Sequence, residues 1–277
     1  MRSLDIAAGA EPRLERGRMT ESEVAQIAAS FESKSPEALV AWAIGRFGSG
    51  LGICSSFQAE GCVLIDMAWR IDPKIRVFTI DTGRLPNETY DLMDKIRDRY
   101  GIAIEVFLPD TSVVEKMVTK HGLNLFYRDL NSRLLCCQVR KVVPLRRALE
   151  NYSAWVTGLR RGQWETRANL QKAALDNDHG GLVKLAPLAD WSERQTWNYI
   201  RANDVPYSTL YDKGYKSIGC APCTRPVSEG QDPRAGRWWW EDEGPKECGM
   251  HCTIETTGFE GREGSATPLV AKSSGRK

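Results

Sequence analysis

Long apolar runs are missing from this 277-residue chain. None approaches the ~20 residues that cross a bilayer, so no membrane span is expected. A dominant charge is missing too: 38 Lys and Arg stand against 36 Asp and Glu, a net charge of +2. So small an excess gives no global pull toward nucleic acid or a membrane surface. The first twenty residues mix Arg and Glu around Ile6–Ala10, too short and too charged for a secretory leader. A cytoplasmic location is expected. No internal repeat or low-complexity block is found, and no Gly-Lys-Ser/Thr follows a glycine turn, which excludes a Walker phosphate loop. What remains is an ordinary soluble composition, with enough apolar residues for a sizeable core in one large domain or two small ones.

Cysteine, by contrast, is plentiful. Eight cysteines in a reducing compartment point to metal binding or catalysis rather than to disulfide staples. Cys136 and Cys137 are adjacent, and Cys220 and Cys223 form a Cys-Ala-Pro-Cys pair some eighty residues later. Adjacent residues on a helix point about 100° apart, so two such thiols reach two separated points more readily than one ion. A four-iron cubane offers separated points, one thiolate per iron. A single zinc is the weaker fit, because it usually draws on Cys-x2-4-Cys pairs, and unligated thiols are a third reading. Cys54 and Cys62 fall on apolar elements and read as packing residues.

Apolar periodicity predicts helices over 21–46, broken at Ser35-Pro36, and over 62–70, 86–100, 111–120 and 192–203. Short strands are predicted at 51–55, 75–80, 102–108, 154–157 and 182–185. This alternation implies an α/β fold: a mostly parallel sheet with helices on both faces. Ligands then bind beyond the carboxyl ends of the strands, here the loops 55–60, 81–85 and 158–167. The expected organisation is an arm over 1–20, a nucleotide-binding domain over 21–212, a cluster-binding and catalytic segment over 213–252, and a tail over 253–277. His121 and His179, in polar turns, are expected to face solvent.

The loop Ser55-Ser56-Phe57-Gln58-Ala59-Glu60 leaves a strand and enters a helix. It reads either as an anion site built on backbone N–H groups or as a plain serine-capped turn. Together the motifs Ser-Ser-Phe-x-Ala-Glu, Asp81-Thr82-Gly83-Arg84-Leu85, Cys-Cys-x-x-Arg-Lys, Thr157-Gly158-x-Arg-Arg-x-Gln, Cys-x-x-Cys and Glu247-Cys248-Gly-x-His251 run in order over residues 50–251. In this the chain resembles the adenylyl-sulfate (APS) reductases, within the wider family of phosphoadenylyl-sulfate (PAPS) reductases. Two departures stand out: Gly61 where the family often has Asp, and a chain that continues past His251 through Cys252.

The resemblance implies an adenine-nucleotide alpha-hydrolase-like fold and a [4Fe-4S] cluster on Cys136, Cys137, Cys220 and Cys223. It implies thioredoxin-dependent reduction of APS to sulfite and AMP, with Cys248 as nucleophile through an S-sulfocysteine. The substrate site implied comprises Ser55, Ser56, Phe57, Gln58, Ala59, Glu60, Lys141, Gly158, Arg167, Arg234 and Arg237. Arg140, Arg160 and Arg161 are held more loosely, since most arginines are simply solvated. Trp238–Trp240 is read as packing rather than as an adenine platform. Reduction of PAPS, alone or beside APS, is the alternative activity. The partners implied are the nucleotide and a thioredoxin or similar dithiol protein, without nucleic acid or membrane; homo-oligomer formation stays open.

Overall fold

The computed structural model describes residues 19–241. Its centre is a six-stranded sheet in the order β3-β2-β1-β4-β6-β5. The strands are β1 Leu51–Cys54, β2 Arg76–Ile80, β3 Ile104–Phe107, β4 Ala154–Thr157, β5 Ala173–Asp176 and β6 Leu182–Leu185. All pairs are parallel except β5 with β6. Both β1 and β4 are buried along their whole length, as a sheet covered on two faces requires.

Eight α-helices accompany the sheet among the described residues: α1 Glu21–Phe31, α2 Pro36–Phe47, α3 Ala59–Ile71, α4 Asn87–Tyr100, α5 Thr111–His121, α6 Leu130–Cys137, α7 Val143–Leu149 and α8 Glu193–Asn203. Local chemistry sets several boundaries. Ser35 caps α2 with Pro36 at its first turn. Ser192 and Gln195 form a reciprocal capping box at α8. Pro86 precedes α4 rather than opening it. One face of the sheet packs against α2, α3, α4 and α8 through residues such as Leu39, Leu64, Ile96 and Ile200. The other packs against Leu145, Ala148 and Leu149 of α7, with Phe78 and Trp155 from the strands.

Between α6 and α7 lies a π turn, Gln138–Val142, in which the Val143 N–H reaches back five residues to the Gln138 carbonyl. The reason is covalent. Pro144 has no N–H for the Arg140 carbonyl, so the regular ladder cannot pass through this turn.

His179 corrects an expectation. Its side chain is 7 % exposed, not solvent-facing: its Nδ1 lies 2.8 Å from an Asp176 carboxylate oxygen that also accepts from the Trp155 indole at 3.1 Å. The antiparallel edge strand β5, absent from the sequence reading, brings Asp176 there. His121 is half-buried. Cys54 and Cys62 are buried as packing residues, and burial pushes the Cys62 thiol up.

Candidate active site

The strand order reverses direction at one place. From β1 the chain proceeds toward β2 and β3; from β4 it proceeds toward β6 and β5. The ends of β1 and β4 lie side by side, with Cys54 in register with Thr157. Such a switch point opens a crevice between the two following loops. A cavity of about 380 Å³ occupies it.

The loop after β1 forms one wall. Phe57 has φ +56° and is buried in the core, leaving Ser55, Ser56, Gln58, Ala59 and Glu60 along the cavity. Phe57 thus takes part through the bend it makes, not through a side chain in the cavity. No side chain caps α3, whose first turn opens beside the cavity. The Ala59 N–H donates to the Tyr211 hydroxyl at 3.1 Å. Burial, and next the charge of Glu60, raise that phenol well above its ordinary range, so it stays neutral. Gly61 has a steric role: a Cβ there would come within 2.5 Å of the Ser55 Oγ.

The loop after β4 forms the facing wall with Gly158, Arg160, Gln163 and Arg167. Gly158 lies so close to α3 that a Cβ would meet the Glu60 Cβ at 2.8 Å. Arg160, held loosely in the sequence reading, is a buried partner of Glu60: its Nε donates to the carboxylate at 2.8 Å. Arg161 points away and pairs with Glu32 on the surface.

The third wall comes from the stretch after α8. Lys216, Ser217, Ile218, Arg234 and Arg237 line the cavity. The Ile218 N–H donates to the Gln58 side chain at 2.9 Å, tying this wall to the first. Arg237 is 4 % exposed; it donates to Ser217, and its Nε has no partner among the described residues. Lys216 and Ser217 were missed, although they immediately precede the Cys220 turn and could have been read from that position.

Lys141, 8 % exposed in the π turn, lines the same cavity. Its charge and those of Arg140 and Arg84 are felt at Cys136, and those of Lys141 and Arg237 at Cys223. Arg140 donates to the Thr82 carbonyl at 2.7 Å, the Thr82 hydroxyl lies 3.3 Å from the Cys220 sulfur, and the Ala221 N–H donates to the Arg84 carbonyl at 2.8 Å. The β2 loop therefore straps the cysteine turn to the sheet.

Cys136, Cys220 and Cys223 share one apolar cluster with Met117, Phe126, Trp238 and Trp240. Cys137, half-buried, sits next to Cys136 at the end of α6. Burial raises the Cys136 thiol, and burial with the neighbouring Cys220 raises that of Cys223 to about 12. Among the described residues no three such donors gather closely enough for a single metal ion. The buried indole N–H groups of Trp238 and Trp240 lack hydrogen-bond partners within the same cluster. Unmatched donors beside thiols fit a group that brings acceptor sulfur atoms. Trp238 otherwise packs under the cysteines, as expected of it. Cys248 and Cys252 lie outside the described residues.

Comparison with known proteins agrees with this geometry. Residues 51–226 match the family model described as the phosphoadenosine phosphosulfate reductase domain. An adenosine 5'-phosphosulfate reductase of Allochromatium vinosum is 47% identical over 79% of this chain and 83% of its own length. One of Burkholderia cepacia is 46% identical over 77% of this chain and 85% of its own. Among solved structures, a phosphoadenylyl-sulfate (PAPS) reductase from Candida auris superposes with a TM-score of 0.65 at 28% identity, covering 75% of this chain and 98% of that one.

Proposed function

This chain belongs to the phosphoadenosine phosphosulfate reductase domain family, and from that premise we propose how its cavity and cysteines work together. It is an oxidoreductase of sulfate assimilation, reducing adenosine 5'-phosphosulfate to sulfite and AMP. The observation that carries the mechanism is that Lys141 and Arg237 line the nucleotide crevice while their charges reach the cysteine cluster.

The phosphosulfate carries charge on two adjoining groups, and Lys141, Arg167, Arg234 and Arg237 supply the matching cations. The open first turn of α3 and the serine hydroxyls add donors. The apolar side chains Leu85, Ile218 and Trp197, also in the lining, suit the uncharged adenosine. With the phosphosulfate among these cations, charge developing on the leaving phosphate is stabilised.

The Cys248 thiolate attacks the sulfur. The Cys248 Sγ–S bond forms, the S–O bond to phosphate breaks, and AMP leaves with that electron pair. A thiolate of a thioredoxin-type dithiol protein then attacks the Cys248 Sγ, and sulfite leaves with the S–S electron pair. The donor's second thiol resolves the mixed disulfide, so the donor loses two electrons and the sulfur gains them. Lys246 and His251 beside Cys248 favour the thiolate, and Glu247 opposes it.

Cys136, Cys137, Cys220 and Cys223 would hold a [4Fe-4S] cluster, with Trp238 and Trp240 as donors toward its sulfur atoms. When bound, the cluster supplies a fixed charge and a rigid frame for Lys141, since thiols supply the electrons. Residues 213–252 would then serve as the segment that both binds the cluster and carries the nucleophile, and the cytoplasm, where thiols stay reduced, is the compartment that suits it.

Protein purified without oxygen should be brown, contain four irons and four sulfides per chain, as the cubane requires, and release sulfite from APS faster than from PAPS. Colourless, iron-free protein with full activity would overturn the cluster assignment; faster turnover of PAPS would favour the phosphorylated nucleotide. Cys248→Ser should bind APS and form no S-sulfocysteine by mass spectrometry.

A further inference from the structure

Glu241, where the described chain ends, is buried in an ion pair. Its carboxylate accepts two bonds from the Arg133 guanidinium of α6, at 2.7 and 3.0 Å, and the two side chains are 0 % and 7 % exposed. Arg133 also lies over the Trp238 ring at 4.3 Å, and Arg237 lies over the same ring at 4.6 Å. The Trp238 backbone N–H donates to the Cys223 carbonyl. One stack thus joins the helix bearing Cys136, the turn bearing Cys223, a cation of the cavity and the origin of the chain's last stretch.

A buried ion pair is weak evidence for a stabilising role, because apolar side chains of equal volume often hold a fold as well. What the bidentate fork adds is a fixed direction. Glu241 is where direction has a consequence, because Cys248 follows it by seven residues.

We propose that Arg133 and Glu241 are positioning residues for sulfur transfer. They fix the point from which the Cys248 stretch departs and, through Trp238, the cavity cation Arg237. This rests on the reading of Cys248 as nucleophile. Releasing the anchor leaves the nucleotide site built and the thiol chemically unaltered, but enlarges the volume the thiol must search. The loss falls on the transfer rate.

The test uses the full-length, cluster-loaded protein in single-turnover S-sulfocysteine formation. Glu241→Gln keeps the shape and removes the charge; it should slow transfer by about tenfold or more while the KM for APS changes less than about threefold. Iodoacetamide should alkylate Cys248 at the wild-type rate. Glu241→Asp, which keeps the charge and both acceptors, should recover most of the transfer rate. A merely structural pair would change the folded fraction and not the rate per folded molecule.

Wild-type transfer in folded Glu241→Gln, or Glu241→Asp as slow as Glu241→Gln, overturns the proposal. Should Glu241→Gln not fold by circular dichroism, Arg133→Lys decides by the same readouts: slow transfer at unchanged KM supports it, and wild-type transfer overturns it. Cys248→Ser separates the two levels. If it still forms the intermediate, the reading of the nucleophile fails; if it does not while Glu241→Gln runs at full speed, only the anchor fails.

Discussion

The two sides of the cavity are made of different material. The sheet side rests on short parallel strands and capped helices, with a core that continues across both faces. The cysteine side has two helices, α5 and the short α6, a π turn and a stretch of turns from 214 to 241, gathered on a small separate cluster. The first side would be complete as plain protein. The second carries two buried indole donors without hydrogen-bond partners among the described residues, a feature that apolar packing does not explain. Under the proposed function, the difference makes recognition of the nucleotide and placement of the sulfur chemistry separable, meeting at Lys141 and Arg237.

The sharpest way to break that comparison is Cys136→Ser. It should remove iron and sulfite formation below detection while hydrogen exchange in β1, β4 and α3 stays close to wild type. Loss of protection throughout the sheet would show that the two sides are one unit.

Lys141→Ala comes next. One preorganised charge facing developing negative charge is worth about 10²–10³ in rate. S-sulfocysteine formation should fall by that order with iron content intact. Unchanged single-turnover kinetics would remove Lys141 from the link between the sides.

The third effect belongs to the sheet side alone. Asp66, 1 % exposed, accepts from Tyr100 at 3.0 Å, Tyr199 at 2.8 Å and Arg70 at 2.7 Å, pinning α3, α4 and α8 together. Asp66→Asn should cost about 2–3 kcal/mol in denaturant unfolding, with sulfite formation per folded molecule unchanged. A proportionate loss of turnover would tie the chemistry to this distant pin.

The smallest effect is at the surface. Arg161 holds the Glu32 carboxyl below its ordinary range, chiefly by hydrogen bonding. The depressed folded value means that this pair adds stability above the ordinary glutamate range and loses it as pH falls through the folded value. Both side chains are partly exposed, so solvent screening limits the gain to about 0.5 kcal/mol. Glu32→Gln should remove that much at pH 7 and nothing at pH 2.

The sheet side was far more legible in the sequence. Strands 154–157 and 182–185 were read at their observed bounds, and the helix capped by Ser192 was read from its cap. Period and capping are local signals, and they survive folding. Strand β5 was not legible. Ala-Ala-Leu-Asp has little strand preference of its own and becomes a strand by pairing with β6, which in turn buried the His179 side chain against expectation. The partnership of Arg160 with Glu60 was equally out of reach, since a hundred residues separate them. On the cysteine side the thiols were legible as chemistry and not as shape. Pro144 was visible, but the turn it imposes was not deduced.

That π turn also restricts how this chain can vary. Deleting one residue between Gln138 and Val142 would leave Pro144 to interrupt the ladder still, yet shift the phase of Lys141 against the thiol pair by about 100°. Lys141 would then face away from the cavity while Cys136 and Cys137 stayed where they were. The count of residues between the thiol pair and Pro144 is therefore a phase setting, and a length change here should be tolerated less well than almost any change of residue type.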